Sequence, residues 1–296
     1  MSENRKRIVV VTEDSSDEVV KFKDGVVGVL NSANSDYEVF VSMDKANALN
    51  EIGGEVYDGA ILWTNSKETY MSSDLERVMT DNNMPIVSMR NILDVTNDNY
   101  FFVGSDYVQA GRELSAEIQN YFDTESINGE VLVLVDSEQS FTAKIKEGVE
   151  ENFIPVVLEV PNNDEEFVKT LVAEKLSEYN GDIKAIVCYS DKLAISLLPF
   201  CNDYPELRLT GFGGTSVWQN YTQTGGEKII ASYVENYVAL GAAAADIIDY
   251  FFNGEDVTTD EVAVDDTIYK SVIITGDSYL IGEVSYPFPI TVGEVT

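Results

Sequence analysis

The sequence predicts an α/β protein of two doubly wound parallel-sheet lobes, and three observations carry that prediction. Short β-branched runs alternate with longer amphipathic stretches almost without interruption, which is the pattern of parallel βαβ units. The count of strands restarts around residue 105, after four or five have passed. A length of 296 residues exceeds what one hydrophobic core comfortably serves, so two domains are expected.

The elements follow in order. Strands are expected at 7–12 (RIVVVT), 37–42 (YEVFVS), 57–64 (YDGAILWT), 85–89 (PIVSM) and 100–105 (YFFVGS). A second set falls at 130–136, 155–160, 183–189, 207–212, 228–234 and 269–275. The clearest helical patterns span 16–33, 107–123, 140–152, 164–179, 190–199 and 236–253. Asp106 and Ser190 can cap helix starts with a side-chain oxygen, and Gly254 after DYFFN suits a left-handed stop. Crossovers are expected to be right-handed. No low-complexity linker separates the halves, so several short hinge strands are expected between them instead of one tether.

Composition narrows the function. Hydrophobic residues at 44% and aromatics at 10% exclude a disordered or fibrous chain, and no run approaches the roughly 20 apolar residues of a membrane span. Nineteen basic against 52 acidic residues give a net charge of −33, a field that repels phosphate backbones and anionic lipid. Direct nucleic-acid binding is therefore not expected. The chain has no histidine, which removes Ser-His-Asp and Cys-His catalysis, His-liganded zinc and imidazole acid/base chemistry. Cys188 and Cys201 match no metal spacing; two buried free thiols and a single disulfide both fit. The opening MSENRKR is charged and lacks an apolar segment, so either the native protein is cytoplasmic or a leader was trimmed.

Ligands of doubly wound sheets collect outside the carboxyl ends of the strands. Residues there are Glu13 to Asp17 (including Ser16), Thr64 to Ser66, Arg90 and Asn91, Asp106 and Tyr107, Ser190 and Asp191, Gly213 and Gly214, and Glu235 and Asn236. Their polarity suits a site, and suits caps and turns equally. GFGGTS at 211–216 looks like a phosphate loop but lacks the dinucleotide spacing and the Lys-Ser or Lys-Thr of a P-loop, so it reads as a turn or a close backbone approach. VVVTEDSSDE at 8–17 has an acidic cluster without the remainder of a receiver-domain apparatus. NNDEE (162–166) and DEVAVDD (260–266) lack a calcium loop's glycine and read as solvated acidic loops. No nucleophile with an activating base, no metal site and no cofactor motif emerges, so binding is expected and catalysis is not.

The order of the motifs resembles the ribose-binding-protein type of periplasmic sugar-binding proteins, whose fold the ligand domains of lactose-repressor-like regulators share. The stretches that carry it are FKDGVVGVL (22–30), YDGAILWT, PIVSM, VGSDYVQAGRELSAEI, GEVLVLVD, KIKEGVEENF (144–153), KAIVCYSDKLAISLL, LTGFGG, IIASYVENYVALGAAAADIIDYFFNGE and SVIITGDS, over about residues 7–278. The resemblance implies two lobes joined by three hinge strands and closing on a small polar ligand. Crossings are expected near 103–105, 234–237 and 268–272. One lobe would comprise 7–103 with 236–268, the other 105–234 with 269–280, leaving a tail at 281–296.

The resemblance also implies ligand positions, many of them changed here. The pair of aromatics after the first strand falls on Glu18 and Val19, and the Asp-Arg pair after the fourth strand falls on Arg90 and Asn91. An Asn becomes Tyr107, an arginine position falls close to Lys144, the Asn of an Asn-Asp pair becomes Ser190 while Asp191 is kept, an aspartate becomes Gly213, and a glutamine becomes Glu235. Loss of paired hydroxyl-gripping groups argues against an ordinary pentose or hexose, and Arg90 with Lys144 favours an acid-bearing ligand. The competing reading has Arg90 ion-paired with Glu13, Asp17 or Glu235. Aromatic contact could come from Trp63, Tyr107, Phe141, Tyr189 or Trp218. The expected function is a solute-binding receptor for transport or signalling, extracytoplasmic, with a transporter or sensor as partner. The alternative is the cytoplasmic effector core of a lactose-repressor-like regulator, which NRKR before the first strand fits. Transport receptors of this type are monomers and repressor cores dimerise, so both monomer and homodimer stay open.

Overall fold

The computed structural model describes residues 5–12, 15–31, 36–54, 56–63, 72–90, 93, 95, 97–137, 139–160, 164–255, 260–264, 267–274 and 277–280. The chain begins β1 (Lys6–Val11), α1 (Asp17–Leu30), β2 (Tyr37–Ser42), α2 (Lys45–Gly53), β3 (Gly59–Trp63), α3 (Ser72–Asn82), β4 (Ile86–Met89) and β5 (Tyr100–Ser105). It continues α4 (Tyr107–Glu125), β6 (Glu130–Asp136), α5 (Ser140–Val149), β7 (Val156–Val160), α6 (Glu165–Glu178), β8 (Ile183–Val187), α7 (Asp191–Leu197), α8 (Phe200–Asp203) and β9 (Arg208–Gly213). The last elements are α9 (Ser216–Gln223), β10 (Ile229–Val234), α10 (Tyr237–Asn253), β11 (Asp260–Val264), β12 (Thr267–Ile274) and β13 (Asp277–Leu280).

Two sheets result. The first runs β11-β12-β5-β4-β3-β1-β2 and the second β13-β10-β9-β8-β6-β7. Read from β2 and from β7, the inner five strands of each follow the same second-first-third-fourth-fifth order, all parallel. The register sets Val11 of β1 between Ser42 and Leu62. Among the described residues only β11 and β13 pair antiparallel with their neighbours.

The chain divides into two compact units, one of residues 1–106, 138–141 and 236–275, the other of 107–137, 142–235 and 276–296. The expected assignment of 269–280 to the second lobe differs from the pairing. β12 lies parallel to β5, with Val272 opposite Val103, and only β13 joins the second sheet beside β10. An apolar run suits either sheet edge, so periodicity alone does not choose between them. The tail at 281–296 is outside the described residues.

Four helices went unanticipated, α2, α3, α8 and α9. α2 is short and starts by a local device, the Asp44 carboxylate accepting the Asn47 N–H at 3.0 Å. α3, SSDLERVMTDN, is mostly polar and carries little apolar stripe. No described helix is long and apolar enough to cross a membrane.

In the first unit α1 buries Val19, Phe22, Val26 and Leu30 along one face, and α10 buries Leu240, Gly241, Ala244, Ala245 and Ile248. The two helices touch backbone to backbone. A Cβ at Gly25 would lie 2.1 Å from the Val238 oxygen, and one at Gly241 2.0 Å from the Phe22 oxygen. The second unit uses the same device between α4 and α5, where a Cβ at Gly111 would lie 1.9 Å from the Ile145 oxygen and one at Gly148 2.0 Å from that of Val108. Glycine is required at these crossings by lack of space.

Candidate functional site

In the first unit β2 and β3 flank β1 on opposite sides, so the strand order reverses there and opens a crevice at the carboxyl ends. Thr12 follows β1, buried, with an Oγ1 that meets no hydrogen-bond partner among the described residues. Ser16 precedes α1 in an extended conformation, and exposed Asp17 opens the first turn, where a negative charge complements the helix dipole.

Trp63 ends β3 and is 1 % exposed. Phe22 meets it edge-on with centroids 5.3 Å apart, Tyr237 lies at 5.9 Å, and the Arg90 guanidinium sits 5.3 Å from the ring centroid. Trp63 is thus a packed anchor for Arg90 instead of an open stacking platform. Arg90 itself has φ of +73°, a left-handed conformation that costs a non-glycine residue about 1–3 kcal/mol and concentrates at functional sites. Val19, at one position implied for a stacking aromatic, lies in the apolar core. Asn91 and Glu13 are outside the described residues, as are 64–66.

In the second unit the reversal lies at β6, flanked by β7 and β8. Asp136 ends β6, buried; its N–H donates to Thr142 Oγ1 at 3.0 Å, and that hydroxyl donates to the Asp136 carbonyl at 3.0 Å. After β8, Ser190 caps α7 by accepting the Leu193 N–H at 3.2 Å. Asp191 is fully buried; its Oδ1 accepts the Ser232 hydroxyl at 2.5 Å and its Oδ2 the Thr215 N–H at 2.6 Å. This carboxylate ties the start of α7 to β10 and to the loop after β9. A side chain at Gly211 would collide with it, the Cβ falling 2.1 Å from Oδ1.

Gly213 and Gly214 turn the chain out of β9 with φ of +117° and +64°, which explains two glycines in succession. Glu235 follows β10, buried. Tyr107 opens α4, buried against Phe212 at 5.9 Å, and Phe212 stacks on Tyr233 at 5.6 Å and 9°. Asp106, half-buried, immediately precedes α4. Lys144 stands apart in role, ion-paired along α5 with Glu147 at 2.8 Å.

The structure therefore joins Trp63 with Arg90 in one unit, and Ser190, Asp191 and the Gly213 loop in the other. Phe141 and Tyr189 are buried as well. Thr12, Tyr237, Asp136, Thr215 and Ser232 escaped the sequence reading. The usable signal for most was position, the first polar residue at or beyond a strand end; Ser232 lies inside β10 and carried none.

Among the described residues the strand ends offer hydrogen-bonding groups, the carboxyl groups of Asp17, Asp106, Asp136, Asp191 and Glu235, and the Arg90 guanidinium. Cys188 and Cys201 are free and buried, and burial pushes both thiols up, so neither is a thiolate at neutral pH. Burial, reinforced by Asp136, likewise raises the Tyr189 phenol. No cluster suited to a metal ion occurs among the described residues.

No family model matches the chain, and no curated protein matches it in sequence. Solved structures do match in shape. GanP, a glucose-galactose binding protein from Geobacillus stearothermophilus, superposes with a TM-score of 0.74 at 16% identity, over 96% of this chain and 100% of its own. The substrate-binding protein of a sugar ABC transport system from Bordetella parapertussis 12822 gives 0.75 at 12% identity, over 96% and 92%. The chain has the type I periplasmic-binding-protein fold. A LacI transcriptional regulator from Lactobacillus brevis shares this fold with a TM-score of 0.67 at 17% identity, over 92% of this chain and 99% of the regulator. The fold accounts for the repeated strand order of the two units and for polar groups gathered at both sets of strand ends.

Proposed function

We propose that the protein binds a small polar solute, a sugar or sugar-like compound, at the carboxyl ends of its parallel strands. One observation carries this reading. Both units present buried or half-buried polar side chains at the carboxyl ends of their parallel strands, Thr12 and Arg90 after β1 and β4 in one, Asp136, Ser190 and Glu235 after β6, β8 and β10 in the other. The sugar-binding names of the neighbours support it. The role is that of an extracytoplasmic receptor serving a transporter or a signalling partner, without catalysis of its own. Arg90, held over Trp63 in a left-handed conformation, favours an acid-bearing solute.

Thermal shift tests the reading. A solute at a hundred times its Kd adds about 2.7 kcal/mol to stability, a readily measured rise. The screen should hold neutral sugars, sugar acids and sugar phosphates, with Arg90→Gly as the companion variant. That variant relieves the left-handed strain, so it should melt no lower than the parent and yet lose stabilisation by acids. If no carbohydrate stabilises the protein, the solute-binding reading is wrong; stabilisation by neutral sugars alone removes the acid-bearing preference. The LacI-type neighbour supports a second reading, an effector-binding core of a transcription regulator. The native gene's upstream reading frame separates the two, a lipobox or signal peptide marking a receptor and a helix-turn-helix marking a regulator.

A further inference from the structure

We propose that Trp63 is a positioning residue for Arg90, and that by fixing the guanidinium at the carboxyl end of β4 it sets the preference for acid-bearing over neutral solutes. This rests on the solute-binding reading above and adds to it the residue that determines specificity.

Strand register brings the two side chains together. β3 and β4 are parallel neighbours with Trp63 opposite Met89, so the last residue of β3 lies beside the strand end from which Arg90 emerges. Arg90 has φ of +73°, a conformation that a non-glycine residue keeps only where its surroundings impose it. Its side chain is half-buried, with the guanidinium carbon 5.3 Å from the Trp63 ring centroid, within the range of a cation–π contact.

The indole is a rigid base for that contact. All five residues of β3 are buried, and Trp63 itself is enclosed. Phe22 of α1 meets the ring edge-on at 5.3 Å, and Tyr237 at the start of α10 packs against it at 5.9 Å. The helices that carry these two rings cross without slack, since the Phe22 oxygen is the atom that a Cβ at Gly241 would strike at 2.0 Å. Packing of α1 on α10 therefore fixes Phe22 and Tyr237, those rings fix Trp63, and Trp63 fixes Arg90.

Two chemical consequences follow. An arginine side chain surrenders rotamer freedom when a ligand immobilises it, and prior contact with the indole removes part of that loss before binding. An aromatic face carries no acceptor atom, so this contact consumes none of the five guanidinium N–H donors, whose fork matches the oxygens of a carboxylate or phosphate. Hydrogen bonds between two charged partners are the stronger ones, so a hydroxyl gains less than an acid from the fixed cation.

Glucuronate and glucose 6-phosphate serve as acid probes and glucose and galactose as neutral ones, with affinity measured by titration calorimetry on the full chain. Tryptophan makes stronger cation–π contacts than phenylalanine, and leucine makes none. Trp63→Phe should weaken acid binding about threefold and Trp63→Leu about tenfold, with any affinity for the neutral sugars at its parental value. Trp63 is enclosed, so Trp63→Leu can fail to fold; the Phe variant and a readout on the parent protein then decide. The chain holds two tryptophans, so ¹⁵N labelling of the indoles gives two Nε1–H resonances, told apart by Trp218→Phe, and a bound acid should move that of Trp63 saturably. Neutral-sugar affinity that falls in step with acid affinity marks a structural role alone and overturns the inference. An acid bound with the Trp63 resonance unmoved, or with parental affinity in the Phe variant, overturns it as well. Binding of neutral sugars alone overturns the inference and leaves the solute-binding reading standing; absence of binding by every carbohydrate removes both.

Discussion

Replacing Gly111 by alanine places a Cβ 1.9 Å from the Ile145 carbonyl oxygen, where ordinary contact begins near 3.4 Å. The obstacle is the backbone of α5, which no rotamer change can move aside, so α4 and α5 must separate by about 1.5 Å locally. Overpacking of a tight core costs about 1–3 kcal/mol, and a backbone obstacle belongs at the upper end. Alanine returns about 1 kcal/mol through its better helix propensity. The net loss is about 2 kcal/mol, a shift of about thirtyfold in the folding equilibrium and about 4–8 °C in the melting of a unit this size. Gly28 supplies the internal control. It is also in a helix, α1, but a Cβ there meets nothing within 4 Å, so Gly28→Ala should stabilise by about 0.5–1 kcal/mol. Differential scanning calorimetry of both variants measures the contrast. Equal upward shifts for the two would refute the close-approach argument, since propensity alone would then explain them.

Two further outcomes are expected. The net charge of −33 makes the folded state repel itself, so raising sodium chloride from about 0.01 M to about 1 M, which shortens the screening length from about 30 Å to about 3 Å, should raise the melting temperature by several degrees; a flat or falling response refutes this. Burial, then the charge of Asp249, holds the Asp246 carboxyl above its ordinary range, and Glu117 is raised by burial and then Glu113. A raised folded-state carboxyl contributes stability at pH below the ordinary carboxylate range and loses it as pH rises through the folded value. Asp246→Asn should accordingly raise the melting temperature at pH 7, with an advantage that shrinks toward about pH 4. An advantage independent of pH would contradict that reasoning.

Most strand positions were legible from short β-branched runs, but not β13, nor β11, whose DEVAV stretch reads as a solvated acidic loop because its acids mask the apolar alternation. The runs 37–42, 100–105 and 130–136 coincide with β2, β5 and β6, since β-branched and aromatic residues in a parallel sheet need no partner information to declare themselves. The short polar helices α2 and α3 were not legible, as their starts depend on a single cap or on a thin apolar face. Among the candidate site residues, position after a strand placed Arg90, Ser190 and Asp191 at strand ends and marked Ser190 as a helix cap, but left the contacts of Arg90 and Asp191 unread. Nothing near Asp191 in sequence reveals that Ser232 and Thr215 occupy its carboxylate, 41 and 24 residues away.

By itself the sequence determined the alternation of elements, the parallel α/β class, the division into two units, and the lack of imidazole chemistry, because each follows from composition or from patterns a few residues long. Tertiary structure alone decided that β12 joins the first sheet, that Gly25, Gly241, Gly111 and Gly148 are helix crossings, that Trp63 is enclosed beneath Arg90, and that GFGGTS leads into a helix. These depend on which distant surfaces meet, and local periodicity carries no record of the partner.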